Sequence, residues 1–254
     1  MDNYCDFAYL YDKLTADVEY VKRADYLEDL FKNSMEYKPI LIADVGCGTG
    51  TICNILSDRG YDMIGIDSSY DMLNVAREKS QDKSILYLNQ NMTEFELYGT
   101  VDVITCMLDS LNYLIEDGEI EEFFKLCHNY LNPEGLLIFD INTVFKFENI
   151  LSDNIYNYED DDVFYSWENS FDGQICEFYL NFFVKKSDGT YNRITEQHFE
   201  RAYTIEHIKS ALKQCGFDDV NVYSDMTMTT ATEQDERVFF VVKKHWHYFH
   251  NVVK

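Results

Sequence analysis

Two residue classes are scarce in this 254-residue chain: proline, with only Pro39 and Pro133, and positive charge, with 21 Lys and Arg against 46 Asp and Glu. At a formal charge of −25 the surface repels a phosphate backbone, and no basic run longer than two residues overrides that field. Nucleic acid is therefore not an expected partner. Long apolar runs are missing as well: nothing approaches the roughly 18 uninterrupted residues of a membrane span. Asp2 and Asp6 stand where a signal peptide needs an apolar core. A cytoplasmic protein without membrane contact is expected. The seven cysteines (5, 47, 53, 106, 127, 176, 215) are odd in number and never spaced C-x-x-C. That argues against a disulfide framework or zinc site and suits a reducing compartment. His245, His247 and His250 cluster near the C-terminus with no neighbouring acid or cysteine in sequence to complete a metal site, so no metal is expected. Repeats and low-complexity linkers are also missing, which leaves one domain over 1–254, large enough for a single good core.

Aromatics are abundant, with 20 Tyr and 18 Phe. Short apolar runs at Ile40–Val45, Met63–Ile66, Ile85–Leu88, Val101–Met107 and Leu136–Ile141 read as buried strands, the first and last introduced by the two prolines. Helical patterns lie between them. Ser68 and Asp71 read as a capping box before Met72, and Ile120, Phe123, Phe124, Cys127 and Leu131 recur at helix spacing. Strand–helix alternation predicts right-handed crossovers, a parallel sheet and a ligand crevice at the C-terminal ends of the strands.

From about residue 163 to 203 the pattern changes to three strands joined at Asp172-Gly173 and Asp188-Gly189, both strong hairpin signals. The acidic run Glu159–Asp162 before it reads as a solvated loop tip. The α/β pattern resumes at Thr204, a predicted N-cap, with Gly216 as the helix stop and two last strands near Asp219–Tyr223 and Arg237–Lys243. The expected fold is thus a doubly wound α/β sheet with an antiparallel β-meander inserted over 143–203 as a cap, and an amphipathic helical segment over 1–34.

The central motif is Asp44-Val45-Gly46-Cys47-Gly48-Thr49-Gly50, which ends a strand and opens a helix. A dinucleotide fingerprint is spaced G-x-G-x-x-G, with a pyrophosphate at the helix start. Here the spacing is G-x-G-x-G, and Asp44 places negative charge where a phosphate is least welcome. It suits a cationic ligand end, such as an amino-acid ammonium. Asp67, at the end of the second strand, is placed to accept both hydroxyl protons of a ribose.

On these residues the chain resembles the class I S-adenosylmethionine (SAM)-dependent methyltransferases over nearly its whole length. It is most similar to the branch with a β-cap after strand five, which includes glycine N-methyltransferase and the amino-sugar N,N-dimethyltransferases. The resemblance implies a seven-stranded Rossmann-like sheet with its last strand antiparallel. It implies SAM as cofactor, S-adenosylhomocysteine (SAH) as product and a small-molecule acceptor. Carried over by position, Gly46, Cys47, Gly48 and Gly50 would hold the methionine moiety through backbone, and Asp44 would orient its ammonium. Asp67 would hold the ribose, with Ser68 and Met72 beside the adenine. Asn91-Met92 matches a position that is often Asp followed by an apolar residue; the Asn91 amide oxygen is expected to accept from the adenine amino group. The backbone at Leu108 would lie along the methionine end, and Tyr11 would close over the cofactor.

Methyl transfer from a sulfonium needs alignment and exclusion of water more than a universal catalytic group. The candidates on the acceptor side are Asp109, either binding an amine and taking its proton or capping the next turn, and Tyr113, a hydrogen-bonding group near a position where the amino-sugar enzymes tend to carry His. Asn142, Tyr165, Trp167, His198 and Arg201 are candidate substrate contacts. N-methylation is favoured over O-methylation by the acidic surface and the branch resembled. Two other readings stay open: a SAM-binding regulatory or interaction protein whose catalysis has decayed and, more distantly, a nicotinamide oxidoreductase.

Overall fold

Within the Asp44–Gly50 region, β1 (Leu41–Val45) runs into a loop that opens α2 (Thr51–Asp58), the strand–loop–helix order the motif predicts. We analysed a computed structural model, which describes residues 8–12, 15 and 18–245. Upstream, residues 8–12 form a helical turn, and α1 (Tyr20–Ser34) buries Ala24, Leu27, Leu30 and Phe31, three to four residues apart on one face. Downstream come β2 (Asp62–Asp67), α3 (Tyr70–Lys79), β3 (Leu86–Asn89), β4 (Val101–Cys106), a 3-10 turn (Ser110–Tyr113), α4 (Glu119–Tyr130) and β5 (Leu131–Asn142). After β5 follow α5 (Val144–Lys146), a π turn (Phe147–Leu151), β6 (Ile155–Glu159), β7 (Val163–Phe171), β8 (Ile175–Lys185) and β9 (Tyr191–Arg201). The chain closes with α6 (Ile205–Gln214), β10 (Asp219–Ser224) and β11 (Arg237–Lys243).

The main sheet has seven strands in the order β10-β11-β5-β4-β1-β2-β3. Strands β1 to β5 are parallel, and β11 runs antiparallel to β5. The strand order reverses between β1 and β4, so the crevice opens at their C-terminal ends. Apolar clusters fill both faces, one under α4 and α6 (Phe123, Phe124, Ile208, Leu212) and one under α1, α2 and α3 (Leu27, Leu56, Leu73). A second sheet, β6-β7-β8-β9, is wholly antiparallel and forms the insertion.

Local chemistry explains most boundaries. Thr204 caps α6 by accepting from His207 N–H at 3.1 Å. At its other end Phe217 N–H reaches Leu212 C=O at 3.0 Å around Gly216, whose φ of +94° suits glycine. Asp172 fixes the β7–β8 turn by accepting from Gln174 and Ile175 N–H at 2.8 and 2.7 Å.

Three expectations are corrected. The cap of α3 is Ser69, which accepts from Met72 N–H at 3.3 Å; Ser68 lies one residue too early for it. The inserted sheet has four strands because Ile155–Glu159 pairs with β7; Glu159 ends that strand and the remaining acids, Asp160–Asp162, form the turn between them. That strand is mostly exposed, which leaves it without an alternating apolar signal. Pro133 lies inside β5 rather than before it, where the β4–β5 register shifts between Val101 and Val103, a bulge that tolerates the missing N–H. His245 lies 3.1 Å from Asp219, while His247 and His250 fall outside the described residues. Among the described residues no helix is long and apolar enough to cross a membrane.

Candidate active site

The glycine loop carries three left-handed residues, Gly46, Gly48 and Gly50, with φ of +73°, +54° and +70°. Each glycine has a different neighbour. A Cβ on Gly46 would press on Ser110 at 2.8 Å, and one on Gly50 would meet the Tyr87 hydroxyl at 2.5 Å. A Cβ on Gly48 would meet no protein atom within 4 Å, and Gly48 lines the cleft together with Gly46 and Cys47. Gly50 lets α2 pack on Tyr87 and Ala76 and does not line the cleft.

Asp44 forms the floor of this cleft. It is 2 % exposed and accepts from Thr105 Oγ1 at 2.7 Å and Cys53 Sγ at 3.4 Å. Burial pushes its carboxyl up to about 6 against the pull of those two hydrogen bonds. A buried carboxylate without a countercharge is costly, and a ligand ammonium would supply one. Tyr11 and Tyr20 form part of the wall, joined by a hydrogen bond. The helical turn that carries Tyr11 is fastened across the loop by Asp12, which accepts from Thr49 Oγ1 and Lys79 Nζ, both at 2.5 Å. Leu108 and Ser110 close the opposite side.

Asp67 sits at the next strand end. Its oxygens accept from Gly48 N–H and Ser69 N–H, both at 2.8 Å, and burial raises its pKa despite these bonds. Each carboxylate oxygen keeps acceptor capacity for a hydroxyl. Beyond Asp67 a second, open cleft of about 420 Å³ is lined by Ser68, Asn89, Gln90, Asn91, Glu94 and Glu96. Met92 reaches back toward the loop, its Cε 3.7 Å from a Cβ placed on Gly46. Met72 lies in the first turn of α3. Asn91 departs from expectation: its Oδ1 already accepts from Thr93 N–H at 3.0 Å and from Thr93 Oγ1 at 3.1 Å. The atom left for a ligand is therefore Nδ2, a donor.

The candidate residues for the acceptor side lie on the turn after β4 and on β9. Tyr113 faces His198 edge-on at 5.8 Å between ring centroids. The Tyr113 side chain is partly exposed. Burial, then the nearby Glu200 and Asp109, push its hydroxyl well above the ordinary tyrosine range, so it can donate a hydrogen bond but cannot serve as a base near neutral pH. Burial lowers the His198 pKa, leaving a neutral imidazole at pH 7.

Asp109 has a different task from either one expected of it. It occupies the cap position of the 3-10 turn but makes no side-chain cap bond; its carboxylate is taken by Arg237. Burial opposes its charge, but Arg237 and Lys146 more than offset that and hold it below the usual carboxylate range, so it is a poor base. Asn142 is 4 % exposed and spent on internal bonds, donating to Glu200 at 3.0 Å and accepting from Arg237 at 3.0 Å and Lys146 at 2.9 Å. Arg201 points away from His198 and Glu200, as alternation along β9 requires, and donates to Ile115 C=O at 3.0 Å and Asp117 at 2.8 Å. Trp167 packs between Tyr156 and Phe178 within the inserted sheet, and Tyr165 stacks on Tyr158. The sequence reading overlooked Tyr20, Thr105, Glu200 and Arg237. Asp140 near the end of β5 and Arg237 at the head of β11 carry the available signal, charges adjoining the apolar runs Leu136–Phe139 and Val238–Val242.

The two clefts flank Asp67 and together fit a ligand with an ammonium at one end, a ribose in the middle and a base beyond it. The matching family model, "Methyltransferase domain", covers residues 42–135. A candidate methyltransferase of Geobacillus sp. strain WCH70 is 36 % identical over 246 residues, covering 95 % of this chain and 99 % of its own. The crystal structure of a SAM-dependent methyltransferase from Clostridium acetobutylicum ATCC 824 is 34 % identical, with a TM-score of 0.86 over 96 % of this chain and 99 % of that one. The SAM-bound structure of CalS10, an amino pentose methyltransferase from Micromonospora echinaspora, shares the fold at 19 % identity, with a TM-score of 0.76 over 92 % and 96 % of the two chains. With a buried carboxylate and glycine loop at one strand end, a second carboxylate at the next, and relatives above 30 % identity along nearly the full chain, this protein belongs to the class I SAM-dependent methyltransferases.

Proposed function

We propose that the protein methylates a small-molecule acceptor at nitrogen rather than oxygen. The observation that carries this reading is the meeting of two walls. Tyr113 stands within electrostatic reach of Tyr11, which lines the Asp44–Gly48 cleft, and faces His198, the one a hydroxyl that can donate and the other a neutral imidazole that can accept a proton. An amine arriving as its ammonium must lose a proton before it attacks, and His198 is suited to take it. The fold shared with an amino pentose methyltransferase and the acidic surface support nitrogen as the target atom.

SAM supplies a methyl group already activated by its sulfonium. On the protein side, Asp44 pairs with the ammonium, and the backbone of Gly46, Cys47 and Gly48 approaches the methionine chain. Asp67 accepts from the ribose, while Ser68, Met72, Asn91 and Met92 surround the base. The Leu108 backbone lines the methionine end, and Tyr11 covers it and excludes water. Tyr113 and His198 flank the acceptor, and the inserted sheet over 143–203 acts as its lid. Of the lid expected over 1–34, the described residues 8–12 and 20–34 are helical and serve as a second cover; residues 1–7, 13, 14, 16 and 17 lie outside the described residues. Asp109, with its carboxylate held by Arg237, supports the wall rather than moving a proton.

Isothermal titration with SAM and SAH tests the donor side; lack of binding at millimolar concentration would refute it. Transfer of a radiolabelled methyl group from SAM into a pool of small amines tests the acceptor side. Label appearing only in alcohols would overturn nitrogen, and label in no acceptor would favour a SAM-binding regulatory protein. At the base, Asn91→Asp keeps the bond to Thr93 and replaces the Nδ2 donor by an acceptor for the adenine amino group. SAH should bind about three- to thirtyfold more tightly to that variant; equal or weaker binding in the same titration would remove the base from this cleft.

A further inference from the structure

The turn after β4 holds two consecutive non-glycine residues in the left-handed region, Leu108 at φ +56° and Asp109 at +53°. L-residues avoid this conformation, so surrounding contacts must hold it. Asp140, fully buried in β5, accepts from Leu108 N–H at 2.7 Å and from Asp109 N–H at 3.2 Å. Its charge needs a partner, and Arg237 at the head of β11 provides it. The same guanidinium also binds the Asp109 carboxylate and, at 3.0 Å, Asn142 Oδ1. One planar fork therefore ties β11, β5 and the strained turn together. The turn in turn shapes the cleft: Leu108 lines it, and Ser110 sits against Gly46 so closely that a Cβ there would clash at 2.8 Å.

We propose that Arg237 is a positioning residue for methyl transfer, acting through Asp140 and Asp109 to hold the Leu108–Tyr113 turn against the methionine end of the SAM site. It touches neither donor nor acceptor. Its effect falls on the half of the cofactor site next to the turn and leaves the base cleft beyond Asp67 alone. Lysine cannot replace it, since a single ammonium lacks the fork that reaches both carboxylates.

The proposal rests on the SAM reading above, and its test separates the two. Titrations with SAH, which spans both clefts, and with adenosine, which lacks the amino-acid end, are run on wild type, Arg237→Ala, Arg237→Lys and Asp140→Asn. All three variants should bind SAH at least about tenfold more weakly while adenosine binding stays at the wild-type value. Low-millimolar guanidinium, far below denaturing concentrations, should restore part of the SAH affinity of Arg237→Ala. A general loss of structure would weaken both probes together, and that outcome in variants that still unfold cooperatively would overturn the proposal. So would unchanged SAH affinity. If Arg237→Ala does not fold, Arg237→Lys and Asp140→Asn decide the matter by the same comparison. Wild-type protein that binds no SAH would instead remove the underlying reading, and the positioning role with it.

Discussion

A Gly48→Val protein is expected to retain its fold and to lose at least about 100-fold in SAM affinity, about 2.7 kcal/mol. The three glycines of the loop are not equivalent. Side chains at 46 and 50 would strike protein, at Ser110 and at Tyr87, so substitution there damages packing before it affects binding. At 48 nothing of the protein stands within 4 Å of an added Cβ, and the branched side chain is expected to compete with the cofactor for the cleft that Gly48 lines. A φ of +54° imposes a separate cost in stability, about 1–2 kcal/mol for an L-residue. Thermal unfolding alongside titration separates the two effects. A variant that still melts cooperatively and binds SAM with wild-type affinity would show that the cofactor does not approach the backbone at Gly48.

Asp44→Asn should move binding and stability in opposite directions. In the ligand-free protein burial raises the carboxyl from an ordinary 3.8 to about 6. A folded pKa above the unfolded one means the folded state holds the proton more tightly. Stability is then greater at acid pH, declines as pH rises from about 3.8 to about 6, and stays lower above that. The gap corresponds to roughly 3 kcal/mol at most, and asparagine removes the buried charge while its amide oxygen still accepts from Thr105. Ligand-free Asp44→Asn should therefore melt higher than wild type at pH 7–8 by a few degrees, as a gain of a few kcal/mol implies.

Binding takes the other sign. A ligand ammonium favours the charged carboxylate and pulls its pKa down in the complex, so protons and ligand compete. Wild-type affinity should be flat above about pH 7 and fall by up to tenfold per pH unit below about 6. The variant should lose about ten- to a hundredfold in affinity at pH 8 and show no such slope. Titrations across pH 5–8 read both. A slope that persists in Asp44→Asn would assign the titration to another group, and a lower melting temperature without ligand would mean that Asp44 serves the fold rather than the cofactor.

The donor half of the site was legible because it is local. A glycine loop between strand and helix, with Asp67 one unit later, occupies a short stretch of chain. Its chemistry follows from spacing and from the backbone freedom of glycine. Helix caps such as Thr204 and turns such as Asp172-Gly173 are local in the same sense. Ser69 was misplaced by one residue because adjacent serines offer the same hydroxyl, and only backbone geometry selects which of them caps. Asn91 lines the cleft beyond Asp67, but the oxygen expected to accept from a ligand is taken by Thr93, two residues on.

On the acceptor side, candidate residues were visible and their assignments were not. Asp109 and Tyr113 lie at the crevice as the strand order requires. Whether Asp109 is a base depends on Arg237, which is 128 residues away in the chain. Arg201 and His198 differ by three positions on one strand, so alternation sends one outward and the other toward Tyr113. By itself, the amino-acid sequence determined the sheet, the inserted meander and the cofactor loop, because periodicity, turn chemistry and glycine spacing act between near neighbours. Tertiary structure alone decided which charges are free and which neutralise each other. That depends on where strands distant in sequence come to lie side by side, and on how deeply each pair is removed from water.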